Sequence, residues 1–258
     1  MSTKGTVQVN NASKVYEGKA KRIEALKEVD LTIRGGQFVS LIGRSGCGKS
    51  TLLRAIAGLH PLTHGSISID GEPVTDQPRR SVGMMFQRPV LLPWRTVIQN
   101  VMLPVEVMGG DREVLSARAL ELLHRAGLGG YENSYPAQLS GGMQQRVSLC
   151  RLLVVDPEIL LMDEPFGAVD EFTRERLQDD LIDLWENDHK TVVFVTHSIS
   201  EAVYLSDQVV VMGAGPGRVL DVIDIPFERP RAQAIRRSPD FNRYEVMVRE
   251  ALDGGGAL

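Results

Sequence analysis

Gly43-Arg44-Ser45-Gly46-Cys47-Gly48-Lys49-Ser50, followed by Thr51, is the stretch of this 258-residue chain that fixes its architecture. It has the spacing G-x-x-x-x-G-K-S. An apolar run, residues 38–42, precedes it, and the helical pattern of residues 50–57 follows, closed by Gly58 as a C-terminal cap. Strand, glycine loop and helix in that order form a triphosphate cradle. Glycines let backbone N–H groups converge on phosphate oxygens, and the following helix points its positive dipole end at them. Lys49 adds a mobile cation, and Ser50 offers a hydroxyl to Mg²⁺. The plain alternative is a glycine turn that only joins strand to helix. The complete motif with both flanks favours a nucleotide.

Composition sets wide bounds. Hydrophobic residues are 43% and charged residues 24%, as in ordinary globular proteins, and the length fits one large α/β domain with insertions. A formal charge of -4 argues against a broad basic surface that grips nucleic acid. No run approaches the ~20 apolar residues that cross a bilayer, and the start MSTKGTVQVNN lacks a signal-peptide layout, so a soluble cytosolic chain is expected. Cys47 lies in the phosphate loop and Cys150 in a helical pattern, which does not suggest a disulfide framework.

Outward from the loop, residues 7–9 and 25–33 read as strands, and residues 64–71 alternate apolar and polar between glycines as a strand and turn. Residues 89–155 change to helices: 97–107, 111–126 and 142–153. After this helical insertion come strand 159–162, helix 173–186, strand 191–195, helix 200–205 and strand 208–212. That alternation implies a parallel sheet with crossover helices. Residues beyond Pro226, rich in Arg and Pro, read as a tail with one short helix near 244–252.

Ile159-Leu160-Leu161-Met162 reads as a buried strand whose end delivers Asp163 and Glu164 to the ligand edge of the sheet. Adjacent strand positions point opposite ways. Asp163 can hold Mg²⁺ while Glu164 faces the attacking water as general base. Alone, the pair would be a solvated acidic strand end. The strand 191–195 ends at Thr196-His197-Ser198, where the His197 imidazole could sense a γ-phosphate, although a lone His is more often structural. Gln87 closes the strand-like residues 82–86, and its amide could reach Mg²⁺ or the attacking water; otherwise it is a polar linker residue.

Leu139-Ser140-Gly141-Gly142-Met143-Gln144-Gln145-Arg146 opens a helix with a second anion-binding start. One triphosphate needs one cradle. A two-fold dimer, in which the Ser140 turn of each copy covers the γ-phosphate held by the partner's Lys49, uses both economically.

In this order, GRSGCGKST, Gln87, LSGGMQQR, Asp163-Glu164 after ILLM, the FGAVD segment and His197 resemble the ATP-binding cassette family over roughly residues 5–225. The resemblance implies an α/β fold: a RecA-like P-loop NTPase core with a β-subdomain and a helical insertion. The corresponding boundaries are an ATPase domain at 1–229, with its core at 1–86 and 156–229, a helical subdomain at 87–155, and a tail at 230–258. It implies an ATPase using ATP and Mg²⁺. Tyr16 matches the aromatic that stacks on adenine, Gly43 to Thr51 the phosphate cradle, and Ser50, Gln87 and Asp163 the Mg²⁺ shell. Ser140, Gly141, Gly142, Gln144 and Asp170 match the contacts made to the opposing site. Val169 stands where Leu is more usual, a small volume change.

Within the family, Leu91-Leu92-Pro93-Trp94-Arg95-Thr96-Val97, Asp170-Glu171-Phe172-Thr173-Arg174-Glu175 and Pro216-Gly217-Arg218 resemble cassette subunits of nitrate, sulfonate and taurine importers. That implies a homodimer, peripheral on the cytoplasmic face of the inner membrane and bound to transmembrane permease subunits, with a substrate-binding protein as an indirect partner. Leu91, Leu92, Pro93 and Trp94 would line the groove for a permease helix, or else form the core of the helical insertion. The rival readings are an exporter cassette and a non-transport ATP clamp.

Overall fold

Apolar and polar residues alternate along much of residues 7–33, and in the computed structural model these stretches pair antiparallel with one face buried. The structure describes residues 4–17, 22–77, 79–167, 169–186 and 190–254. In chain order the elements begin with β1 (Val7–Glu17), β2 (Arg22–Ile33), β3 (Phe38–Gly43), α1 (Lys49–Ile56), β4 (His64–Ile69) and β5 (Glu72–Pro73). Next come β6 (Val82–Met85), α2 (Val97–Val101), α3 (Leu103–Met108), α4 (Arg112–Arg125), α5 (Gly141–Leu153), β7 (Ile159–Asp163) and α6 (Glu171–Glu186). The last are β8 (Thr191–Thr196), α7 (Ile199–Leu205), β9 (Gln208–Gly213), β10 (Arg218–Asp224) and α8 (Pro239–Gly254). They form two compact units, Met1–Pro78 with Asp188–Leu258, and Arg79–Asn187. In this division β6, β7 and α6 go with the helices of the second unit, whereas the resemblance places residues 1–86 and 156–229 together in the core.

In the first unit an antiparallel sheet runs in the order β2-β1-β4-β5. Its β4–β5 turn uses Asp70 and Gly71, both at positive φ, and the Asp70 carboxylate accepts from the N–H groups of Gly5 and Thr6. The second sheet of this unit centres on β3, parallel to β8 on one side and β9 on the other, with β10 antiparallel along β9. Every residue of β3 and β8 is buried, as expected for strands covered on both faces. Each large aliphatic or aromatic side chain so buried contributes about 1.5–3 kcal/mol.

The region after Pro226 is more ordered than the sequence suggests. Helix α8 runs from Pro239 to Gly254, longer than the short segment expected, and packs on α7, β9 and β10. Its start is capped in the usual way for a helix: the Ser238 hydroxyl accepts from the Phe241 N–H, and Pro239 opens the first turn. Strand β10, also unforeseen, has only Ile223 buried, so its apolar pattern is weak.

In the second unit β6 and β7 pair parallel from Val82↔Ile159 to Met85↔Met162. Helix α5 packs on β6, α2 and α4. The single helix expected over 97–107 is two, α2 and α3, because Pro104 takes a first-turn position of a new helix. Between β6 and α2 the chain is irregular and is held by the fully buried Asn100. Its Oδ1 accepts from the Leu92 N–H at 2.7 Å, and its Nδ2 lies 3.0–3.2 Å from the carbonyls of Leu92, Arg95 and Thr96. Leu91 and Leu92 are half-buried, while Trp94 stands 70% exposed, so this segment is not simply core. Asn100→Ala would strand several backbone groups and is expected to cost about 2 kcal/mol or more, read as a lower midpoint in urea unfolding.

Candidate functional site

The phosphate loop of the first unit is shaped by steric limits. Gly48, at φ 89°, faces Ala25 so closely that a Cβ there would lie 2.6 Å from its carbonyl oxygen. Only glycine fits both the left-handed backbone and the gap. The next residue begins α1, so the helix N-terminus opens onto the loop. Lys49 is buried, and its Nζ donates to the carbonyl of Gly43 at 2.7 Å and of Arg44 at 3.3 Å, with the Cys47 sulfur 3.6 Å away. The cation is thus held inside the loop it serves. Arg44, Ser45 and Gly46 are exposed at the loop crest, and Ser50 and Thr51 are half-buried in the first turn of α1.

Parallel register brings His197 to the same end of the sheet. Ile42 pairs with Thr196, so Gly43 and His197 are the next residues of neighbouring strands. His197 is exposed, and the turn that carries it is braced: the Thr196 hydroxyl bonds Glu201 Oε2 at 2.5 Å and accepts from the Ser198 N–H at 3.0 Å. Tyr16 lies near the end of β1, half-buried, with its hydroxyl 2.8 Å from His60 Nδ1 and Lys14 Nζ 5.1 Å from its ring centre. His60 was not among the residues expected. Burial, with help from the charges of Arg54 and Lys14, holds its pKa below the ordinary value of 6.5, so it is neutral at physiological pH and suited to anchoring a phenol.

The same register logic operates in the second unit. Met85 opposes Met162, so Gln87 and Glu164 each lie two residues beyond a matched pair, and Gln87 Nε2 donates to Glu164 Oε2 at 3.1 Å. Asp163, the last residue of β7, is buried, and Glu164 stands at φ 46°, a left-handed backbone that a non-glycine residue holds only when its surroundings enforce it. Part of that enforcement is the Pro165 carbonyl, which accepts from the Gln145 side chain of α5. Within the second unit Gln87 and Asp163, and within the first Ser50, each carry an oxygen of the hard kind that Mg²⁺ takes.

Ser140 caps α5, its hydroxyl accepting from the Met143 N–H at 3.3 Å, and Gln144 Nε2 binds back to the Pro136 carbonyl at 3.0 Å. A Cβ on Gly141 would meet nothing within 4 Å, whereas one on Gly142 would lie 2.7 Å from the Thr173 methyl. The Ser140 turn therefore abuts the start of α6. There Asp170 accepts from the Thr173 N–H at 3.0 Å, and this bonding holds its carboxylate below the ordinary 3.8. Ser140, Gly141 and Asp170 are all exposed.

A glycine loop closing on a buried lysine, and parallel strands that lead to acid, glutamine and histidine at their ends, define a nucleotide-hydrolysing P-loop protein. The ABC transporter family model matches residues 26–167, and the chain belongs to that family as an ATP-binding, ATP-hydrolysing cassette. It is 45% identical to an ABC transporter ATP-binding protein of Methanocaldococcus jannaschii over 95% of this chain and 91% of that one. It is also 45% identical to the taurine import ATP-binding protein TauB of Rhizobium johnstonii, over 95% and 96% of the two chains. For the aliphatic sulfonates import ATP-binding protein SsuB of Bacillus cereus the identity is 41%, over 98% of each. Among solved structures, the dimeric ATP-binding cassette MJ0796 in a post-hydrolysis state with ADP and phosphate superposes with TM-score 0.77 at 37% identity, covering 86% of this chain and 100% of that one.

Both cysteines are free and buried, and burial pushes the Cys150 thiol up to about 12. At pH 8 the folded protein is expected to react with no thiol reagent on the time scale of minutes and to yield both thiols once unfolded, as read with a chromogenic disulfide. Gly48→Val should abolish ATP binding in an equilibrium titration while leaving the far-ultraviolet circular dichroism of the chain near that of the parent.

Proposed function

We propose that this chain powers the import of a small anion or sulfonate-like solute as a homodimer that closes on two ATP molecules against transmembrane permease subunits. The relatives' names support the direction and the class of cargo. Dimeric MJ0796 supports the closure. The reading rests above all on Gln87 and Glu164, joined side chain to side chain just past the end of the parallel pair β6 and β7.

Gly43 to Ser50 and Thr51 cradle the triphosphate, Lys49 neutralises its charge, and Tyr16 stacks on adenine. Asp163, Ser50 and Gln87 would hold Mg²⁺, which would offset charge on the phosphates. Glu164 orients and deprotonates the attacking water, and His197 contacts the γ-phosphate. The Ser140 turn, with Gly141, Gly142 and Gln144, and Asp170 act on the triphosphate bound by the other copy. The segment around Trp94 receives a permease helix, and a substrate-binding protein delivers cargo to the permease from the far side. No helix among the described residues is long and apolar enough to cross a membrane, which fits a peripheral subunit at the cytoplasmic face.

Glu164→Gln is the decisive variant. It is expected to bind ATP with near-parental affinity, to sediment as a dimer with ATP and Mg²⁺, and to release phosphate about a hundredfold or more slowly. Parental turnover in that variant would remove Glu164 from the role. A chain that stays monomeric under the same conditions would defeat the shared-site model.

A further inference from the structure

Helix α7 joins the His197 turn to the region after Pro226, and it is held at both ends. Its last carbonyls, which an α-helix leaves without partners, are taken up by two arginines from far along the chain. Arg231 Nη1 lies 3.4 Å from the Val203 carbonyl, 2.7 Å from that of Tyr204 and 2.9 Å from that of Ser206. Arg229 Nη2 takes the remaining one, Leu205, at 2.6 Å. The Arg231 side chain has no exposed surface, and both guanidiniums also reach Asp207. Arg236 stacks 3.8 Å from the ring centre of Tyr204 and extends Nη1 to the Ser200 hydroxyl, 3.4 Å away in the first turn of the same helix.

Burying a guanidinium is costly unless its donors are used, and between them Arg231 Nη1 and Arg229 Nη2 spend theirs on four successive carbonyls. The cations also sit where the helix dipole is negative. At its other end α7 is tied to the His197 turn through Glu201, which bonds Thr196, and through Ser198, which accepts from the Glu201 N–H. Seven residues span only about 10 Å, so a displacement at one end of α7 carries to the other.

We infer that Arg231 and Arg236 are positioning residues for His197: the C-terminal region sets where α7 lies and hence where the imidazole points during hydrolysis. This rests on the reading of His197 as a γ-phosphate contact. A purely structural cap would lower stability without singling out the chemical step.

The experiment is a double-mutant cycle on the full-length chain, with phosphate release at saturating ATP, ATP affinity and thermal midpoint recorded for each variant. Arg236→Ala, on a half-buried side chain, and Arg231→Lys, which keeps the charge and loses the planar fork, are expected to slow turnover about tenfold with ATP affinity within about twofold of the parent. Arg236→Lys, which retains a cation over Tyr204, should recover most of the loss. Combined with His197→Ala, Arg236→Ala should add less than about twofold to the defect of His197→Ala alone. Parental turnover in Arg236→Ala, or multiplicative defects in the double variant, would overturn the inference while leaving the role of His197 intact. Should Arg231→Lys fail to fold, the Arg236 cycle decides alone. If His197→Ala itself turned over at the parental rate, the reading of His197 would fall, and the inference with it.

Discussion

A strand covered on both faces can hold a polar side chain only where a partner meets it, and that constraint organises this molecule. β3, β7 and β8 are buried along their whole length, so the residues that can meet a ligand gather at or just past the strand ends. Parallel pairing then aligns those ends. Ile42 against Thr196 brings the phosphate loop and His197 to one edge of the first unit, and Met85 against Met162 brings Gln87 onto Glu164 in the second. A slip of one residue in either register would turn side chains to the opposite face and part these neighbours.

The left-handed residues show where packing over-determines the backbone. Gly48 is forced by the closeness of Ala25, a purely steric demand. Glu164 adopts a similar conformation with a side chain, at a cost of about 1–3 kcal/mol, and the neighbouring bonds from Gln145 and Gln87 hold it there. Strain at the residue proposed to activate water is in keeping with a site built for one geometry. The buried Asn100 does comparable work around Trp94: it pins an irregular segment by its backbone and leaves an aromatic side chain facing outward.

The region after Pro226 changes meaning once its contacts are seen. As sequence it is a polar stretch with several arginines. As structure, its Arg229 and Arg231 finish α7, and Phe227 packs with Phe241 and Tyr244 to seat α8. The far end of α8 approaches the crest of the phosphate loop, where Asp253 lies 3.6 Å from Arg44; both groups are largely exposed, so the pair adds little stability.

The phosphate loop, the acidic strand end and the serine–glycine helix start were legible in the residues because each is a local device: its spacing alone says which backbone groups converge and on what charge. Most strands and helices followed from periodicity, with Gly58 closing α1, though β10 with its single buried residue did not. What lay beyond reading were contacts between residues far apart in the chain. His60 under Tyr16, Gln145 on the Pro165 carbonyl and Arg231 on the end of α7 carry no spacing signature, and an arginine that will be buried looks the same in sequence as one left in water. Local pattern specifies which groups a segment offers; only folding the chain in three dimensions specifies which of them meet, since burial and register are properties of the whole sheet and not of any one strand.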